Sequence, residues 1–191
     1  MTADIIDLLA GLAPGSPLAA IRDVRRQARE QAQASYDALF AAGEAEDMSI
    51  EERFAVAAFV AALHADAGIA AHYAAALASN LAAAIASEAA AGGTSGPYGD
   101  YPAGPLTVEN TPGPAYRASY PGLGTRLIAA LGHAHMLVFH PRDAAPAALQ
   151  ALLDAGWSTT GIVTLSQLVA FLAFQIRVVT GLRTLSAVGA A

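Results

Sequence analysis

Ser158 to Leu185 reads STTGIVTLSQLVAFLAFQIRVVTGLRTL, and its spacing decides the fold class. Ile162, Leu165, Val169, Leu172, Ile176 and Val179 recur at three or four residues, the repeat that places side chains on one face of an α-helix. Phe171, Phe174 and Val178 lie beside that face, so the helix is apolar almost all round. Such a helix belongs at the centre of a bundle or in an oligomer interface. Ser158 is placed to cap its start, and the helix is expected from Thr159 to about Leu185.

The rest of the chain supports an all-α reading. Hydrophobic residues make up 55% of the 191 positions. Alanine, the best intrinsic helix former, occupies 49 of them. A first helix is expected from about Ala3 to Leu12, broken by Gly11, Pro14, Gly15 and Pro17. A second should run from about Ser16 through Phe40 with Leu18, Ile21, Val24 and Ala28 on its apolar face, until Gly43, Glu44, Glu46 and Asp47 interrupt it. Ser49-Ile50-Glu51-Glu52 has the form of a capping box, so a helix should start near Ser49 and continue through Leu63. After a break near Gly68, another carries Ile69 to Ala90.

Composition changes abruptly between Ala91 and Gly124, AGGTSGPYGDYPAGPLTVENTPGPAYRASYPGLG. Tyr98, Tyr101, Tyr116 and Tyr120 argue against a disordered linker, which is typically poor in aromatics. The segment is expected to be an ordered crossover, either an arm docking on a neighbouring subunit or a lid supplying Tyr98 or Tyr101 to a pocket. Helix should resume at Thr125 and end at His140-Pro141. Asp143 can cap a short helix through Asp154, stopped by Gly156. The whole chain reads as one domain: an N-terminal helical half (1–90), a crossover (91–124) and a C-terminal helical half (125–191).

Several functional classes are disfavoured. The ten basic residues are all arginine, against sixteen acids, for a formal net charge of −6. The one arginine cluster, Ile21 to Glu30, is interrupted by acids, so no nucleic-acid partner is expected. Mean hydropathy is +0.43, yet uninterrupted runs such as Ala55 to Leu63 fall short of the roughly 20 residues a membrane span needs. The N-terminus lacks a secretory pattern. The expectation is a cytoplasmic protein without a membrane partner. Cysteine is absent, which excludes thiolate metal sites and thiol catalysis.

Two segments, MSIEERFAVAAFVAALHADAGIAAHYAAAL (Met48–Leu77) and PRDAAPAALQALLDAGWSTTGIVTLSQLVAFLAFQIRVVTGL (Pro141–Leu182), resemble the carboxymuconolactone decarboxylase and alkylhydroperoxidase-D-like superfamily. The resemblance implies an AhpD-like helical bundle assembled as a homo-oligomer, whether dimer, trimer or hexamer, with a peroxidase-related protein as a further partner. Peroxidase members carry C-x-x-C-x-x-x-H after a helix that begins near a glutamate. Aligning His72 with the family histidine puts Ala65 and Gly68 at the cysteine positions, with Glu52 near the glutamate position. Thiol peroxidase chemistry is therefore not expected of this chain. What the resemblance leaves is acid/base work on a small organic molecule by His72 and Glu52 or, alternatively, a non-catalytic subunit.

Other candidates come from the residues themselves. His133, or alternatively His135, is expected to face a cavity near His72; a histidine is suited to moving protons near neutral pH. His133, His135 and His140 lack H-x-x-x-H spacing, so no metal is expected, and no cofactor. Gln175 and Arg177 interrupt an apolar helix. Arg177 is expected to be buried and paired, with Glu52 as partner, or to bind an anionic ligand together with Gln175.

Overall fold

The computed structural model describes residues 4–40 and 47–189, all helical in architecture. Its elements are α1 (Ile5–Ala10), α2 (Pro17–Val24), α3 (Arg26–Phe40), α4 (Ile50–Leu63), α5 (Ala67–Ala74), α6 (Ser79–Gly92), α7 (Thr125–Phe139), α8 (Pro146–Asp154) and α9 (Thr159–Gly189). Two short 3-10 turns, Pro105–Glu109 and Pro141–Asp143, complete them. The sole β pairing among the described residues is an isolated bridge between Gly99 and Thr111. Ala3 and the expected break at Gly43 to Glu46 lie outside the described residues.

Helix α4 is the hub, packed against α3, α5, α6, α7 and α9. Every residue from Ala55 to Ala61 is buried. Alanine makes this feasible, because its small side chain lets neighbouring backbones approach from several sides. Phe59 and Val56 fill the larger gaps, and truncating a fully buried phenylalanine such as Phe59 to alanine would cost about 3–5 kcal/mol. The expected capping box starts this helix: Ser49 Oγ accepts from the Glu52 N–H at 3.2 Å, and Glu52 Oε2 accepts from the Ser49 N–H at 2.8 Å.

Helix α9 buries the expected face, Ile162, Leu165, Val169, Leu172, Ile176 and Val179, against α1, α3, α4, α7 and α8. Its opposite side leaves Val163, Phe174, Leu185 and Val188 exposed. By length and composition Thr159–Val188 could cross a membrane, with a hydropathy of 1.9 and 44% of that window buried within the fold. Short uninterrupted runs concealed this, because threonines, serines and two glutamines, Gln167 and Gln175, punctuate the helix without much lowering its average. Ser158 caps it, its Oγ accepting from the Gly161 N–H at 3.0 Å.

Arg126 ties three helix ends together. Its Nε donates to Glu52 Oε1 at 2.6 Å, one Nη to the Gly156 carbonyl at 2.7 Å and the other to the Asp47 carbonyl. The guanidinium also lies 4.0 Å from the Trp157 ring centroid, and Trp157 Nε1 donates to the Arg126 carbonyl. The start of α4, the start of α7 and the α8–α9 turn thus share one planar cation, a task suited to arginine's fixed fork of donors.

Four expected features differ. The long second helix breaks at Arg25 (φ −114°, ψ 56°) into α2 and α3, and Ile21, Val24 and Ala28 are exposed. The inward position goes instead to Arg22, which pairs with Asp4 and Asp7 while Arg29 pairs with Asp7 and Asp23. The break expected at Gly68 falls at His64–Asp66: Ala65 takes a left-handed conformation (φ 58°), and Asp66 caps α5 by accepting from the Ile69 N–H at 2.9 Å. The helix expected over Ile69–Ala90 is interrupted between Ala74 and Ser79, a stretch with no glycine or proline to announce it. Asp143 does not cap α8, whose N-cap is Ala145 with Pro146 in the first helical position. It accepts instead from the Asp100 N–H at 2.7 Å.

Candidate functional site

The Gly/Pro/Tyr-rich crossover is ordered by packing on the C-terminal end of α7. Gly99 adopts φ 104°, and a Cβ there would sit 2.6 Å from an Asp143 carboxylate oxygen; a Cβ on Gly113 would sit 2.1 Å from the Tyr98 ring. Only glycine fits at either point. Tyr98 stacks on His140 with centroids 4.9 Å apart and planes 10° apart, and Tyr116 stacks on His135 at 4.4 Å.

A carboxylate absent from the expected site residues anchors this arrangement. Glu88 is 4% exposed. It accepts from the Tyr116 hydroxyl at 2.7 Å, from the Ser119 N–H at 2.8 Å and from the Tyr120 N–H. Charge-assisted bonds to main-chain donors offset the desolvation of a buried carboxylate. Burial, reinforced by the neighbouring Glu88 charge, pushes the Tyr116 hydroxyl far above its ordinary pKa, so it stays a donor. Glu88 is the lone acid between Asp66 and Asp100, set in an alanine helix, and that isolation is the signal that could have found it.

Behind the two tyrosines runs a chain of polar contacts. His135 Nε2 lies 2.9 Å from the Gly92 carbonyl, His135 Nδ1 lies 3.1 Å from His140 Nε2, and His140 Nδ1 lies 2.9 Å from Asp143 Oδ2. His135 is 1% exposed, and burial lowers its pKa, with the Gly92 carbonyl opposing that and His140 adding to it.

On the other side of Tyr116 opens a cavity of about 570 Å³ between the crossover, α7 and α8. Its walls are mainly apolar, including Ile128, Met136 and Leu152, with His133, His140 and Arg117 among them. Size and lining match the usual range for small-molecule sites. Ser166 has one hydroxyl proton, and the Ile162 carbonyl 2.9 Å away is an acceptor only. When that proton goes to Ile162, His133 Nε2, 3.2 Å from Ser166 Oγ, must be the protonated nitrogen. His133 Nδ1 is then a bare lone pair, buried and without a partner. Burial also lowers the His133 pKa, holding the ring neutral.

The residues expected to act together are dispersed. Of the three catalytic candidates, His133 lines this cavity, and His72 and Glu52 do not. His72 is half-buried on α5 with its edge to Tyr73, and its side chain takes part in no hydrogen bond among the described residues. Glu52 is occupied by its own helix cap and by Arg126, and nothing joins it to His72. Arg177 is exposed rather than buried, donates only to its own helix at the Ala173 carbonyl, and has no ion pair with Glu52. Its position on α9 faces a cavity edge instead of the core. Gln175 is fully buried, its Oε1 accepting from the Tyr73 hydroxyl at 2.6 Å and its Nε2 unpartnered. Tyr98 donates to the Pro114 carbonyl, and Tyr101 lies under Arg142 at 4.6 Å, so both brace the crossover.

Among the described residues, no group of three or more His, Cys, Asp or Glu is arranged to hold a metal ion. Comparison with protein-family models, with curated proteins and with solved structures gives no match for this chain.

Proposed function

We propose that this protein binds a small, largely apolar organic molecule in the cavity between the crossover and helices α7 and α8, with His133 accepting a proton from it. The observation that carries the reading is the unpartnered Nδ1 of a buried histidine on the wall of a 570 Å³ cavity. A buried polar atom left without a partner costs on the order of 1–3 kcal/mol, which a ligand O–H or N–H would recover. Arg117 at the same cavity is exposed and can neutralise an anionic substituent or the oxyanion formed on deprotonation. General-base catalysis of this kind needs a neutral imidazole, which is what burial favours. Titration with a series of small phenols, followed through the His133 ring nitrogens by NMR, tests it. Saturable change at Nδ1, with phenol affinity measured by calorimetry falling in His133→Phe, supports the reading; phenols that bind without perturbing His133, or do not bind, remove it.

The same reading can sit within the superfamily that Met48–Leu77 and Pro141–Leu182 resemble. In its support, α4 leads through a tight turn into α5, with Glu52 early in the first helix and His72 in the second. We accordingly propose a cysteine-lacking relative that acts in the cytoplasm, self-associates as a dimer, trimer or hexamer, and works beside a peroxidase-related partner. The non-catalytic alternative is favoured by one observation, the commitment of Glu52 to its helix cap and Arg126. Phenol binding at His133 without turnover of any bound phenol would select that alternative.

A further inference from the structure

A second cavity, of about 260 Å³, lies where α7 and α9 meet the end of α4. Leu137, Val138 and Val169 give it an apolar wall, and its polar groups are His64, Ser166 and Arg177. Nε2 of His64 is buried and has no hydrogen-bond partner. Arg177 makes no ion pair among the described residues, and its one hydrogen bond, 3.2 Å to the Ala173 carbonyl, leaves the remaining guanidinium donors free. Asp66, two residues from His64, is engaged by the Ile69 N–H and by Arg183 at 2.7 Å. Burial and the Arg177 charge both lower the His64 pKa, so the two groups sense one another and His64 contributes an N–H rather than a second charge.

An unpaired guanidinium beside a buried imidazole nitrogen, over a short apolar floor, has a definite complement. We propose that this cavity is a binding site for a small aliphatic monocarboxylate, its carboxylate held by Arg177 and the His64 Nε2–H and its alkyl chain against Leu137, Val138 and Val169. Arginine presents parallel donors that match a carboxylate in two-point fashion. The volume is just below the usual range of ligand pockets, which restricts the occupant to a short chain. One net positive charge from the side chains and a hydrophobic wall disfavour inorganic phosphate and any alkyl amine. The site is independent of the reading of His133.

The test is a titration of the full chain with butyrate, following the His64 imidazole nitrogens by NMR, with inorganic phosphate and butylammonium in parallel. Butyrate is expected to shift Nε2 saturably, and Arg177→Gln to weaken that binding about tenfold, equivalent to about 1.4 kcal/mol. Arg177 is exposed, so the variant should keep the parent's unfolding midpoint, which is measured alongside. His64→Gln, which retains an N–H donor and is followed through the backbone amide signals of α7 and α9, should bind butyrate more weakly than the parent and more tightly than Arg177→Gln. No saturable shift with butyrate, equal affinity in Arg177→Gln, or the same response to phosphate or butylammonium overturns the proposal.

Discussion

His135 and His140 face each other across one hydrogen bond, Nδ1 to Nε2 at 3.1 Å, at the end of helix α7. The Gly92 carbonyl beyond His135 and the Asp143 carboxylate beyond His140 can both only accept. Burial lowers the His135 pKa and so favours its neutral ring, whose single proton belongs on Nε2 facing the Gly92 carbonyl, with Nδ1 the bare acceptor turned to His140. The expected ring-nitrogen NMR pattern is His135 protonated at Nε2 only. A His135 protonated at Nδ1, or at both nitrogens, in the parent would refute the assignment.

Stability should rise with pH up to the ordinary histidine value. His64, His72, His133 and His135 all have pKa values lowered from 6.5, burial being the first cause in each case. Just below 6.5 the unfolded chain therefore binds more protons than the folded one, so the contribution is complete above that value and is lost as pH falls toward the folded values. Urea midpoints at about pH 5 and about pH 7.5 measure it, with the lower midpoint expected at the lower pH. Replacing the most buried of the four, His135, should reduce the difference between them.

Glu88→Gln should destabilise the protein by about 2–3 kcal/mol, the range for losing charged hydrogen bonds in a buried place. The amide keeps the shape but confronts the Ser119 and Tyr120 N–H groups or the Tyr116 hydroxyl with its own donor. Limited proteolysis should then cut within 97–124 under conditions where the parent resists. Unchanged cleavage would mean that the crossover is held by its tyrosine stacks instead.

Two glycine substitutions should move stability in opposite directions. Gly113→Ala drives a Cβ into the Tyr98 ring and should cost about 1–3 kcal/mol as that ring shifts off His140. Gly181→Ala, an exposed position inside α9 with nothing near the added methyl, should stabilise by about 0.5–1 kcal/mol. Denaturant midpoints of both variants against the parent give the comparison.

Helices with side-chain punctuation were readable before the fold was known. The Ser49 capping box, the Thr125–Phe139 helix and the inner face of α9 all appear where spacing and capping chemistry put them. The break after Ala74 was not readable, because alanine is compatible with helix on either side and tertiary packing alone decides where it stops. At the site the asymmetry is similar. His133 announced itself as a histidine on an apolar helix, and it lines the cavity. Arg117, Ser166 and Glu88 acquire their positions from contacts 28 to 33 residues or more along the chain or from the crossover's path, which local spacing cannot encode.

Glu88 grips the crossover at one side chain, the Tyr116 hydroxyl, and at two main-chain N–H groups, those of Ser119 and Tyr120. The side chains of Ser119 and Tyr120 point to solvent, and any residue other than proline brings the same N–H to those places. Identity at 119 and 120 is therefore free to drift while the number of residues between the helix and the anchor is not. Deleting one residue between Pro114 and Ala118 would carry both donors out of reach of the carboxylate, so related chains should tolerate spelling changes here far better than changes of length.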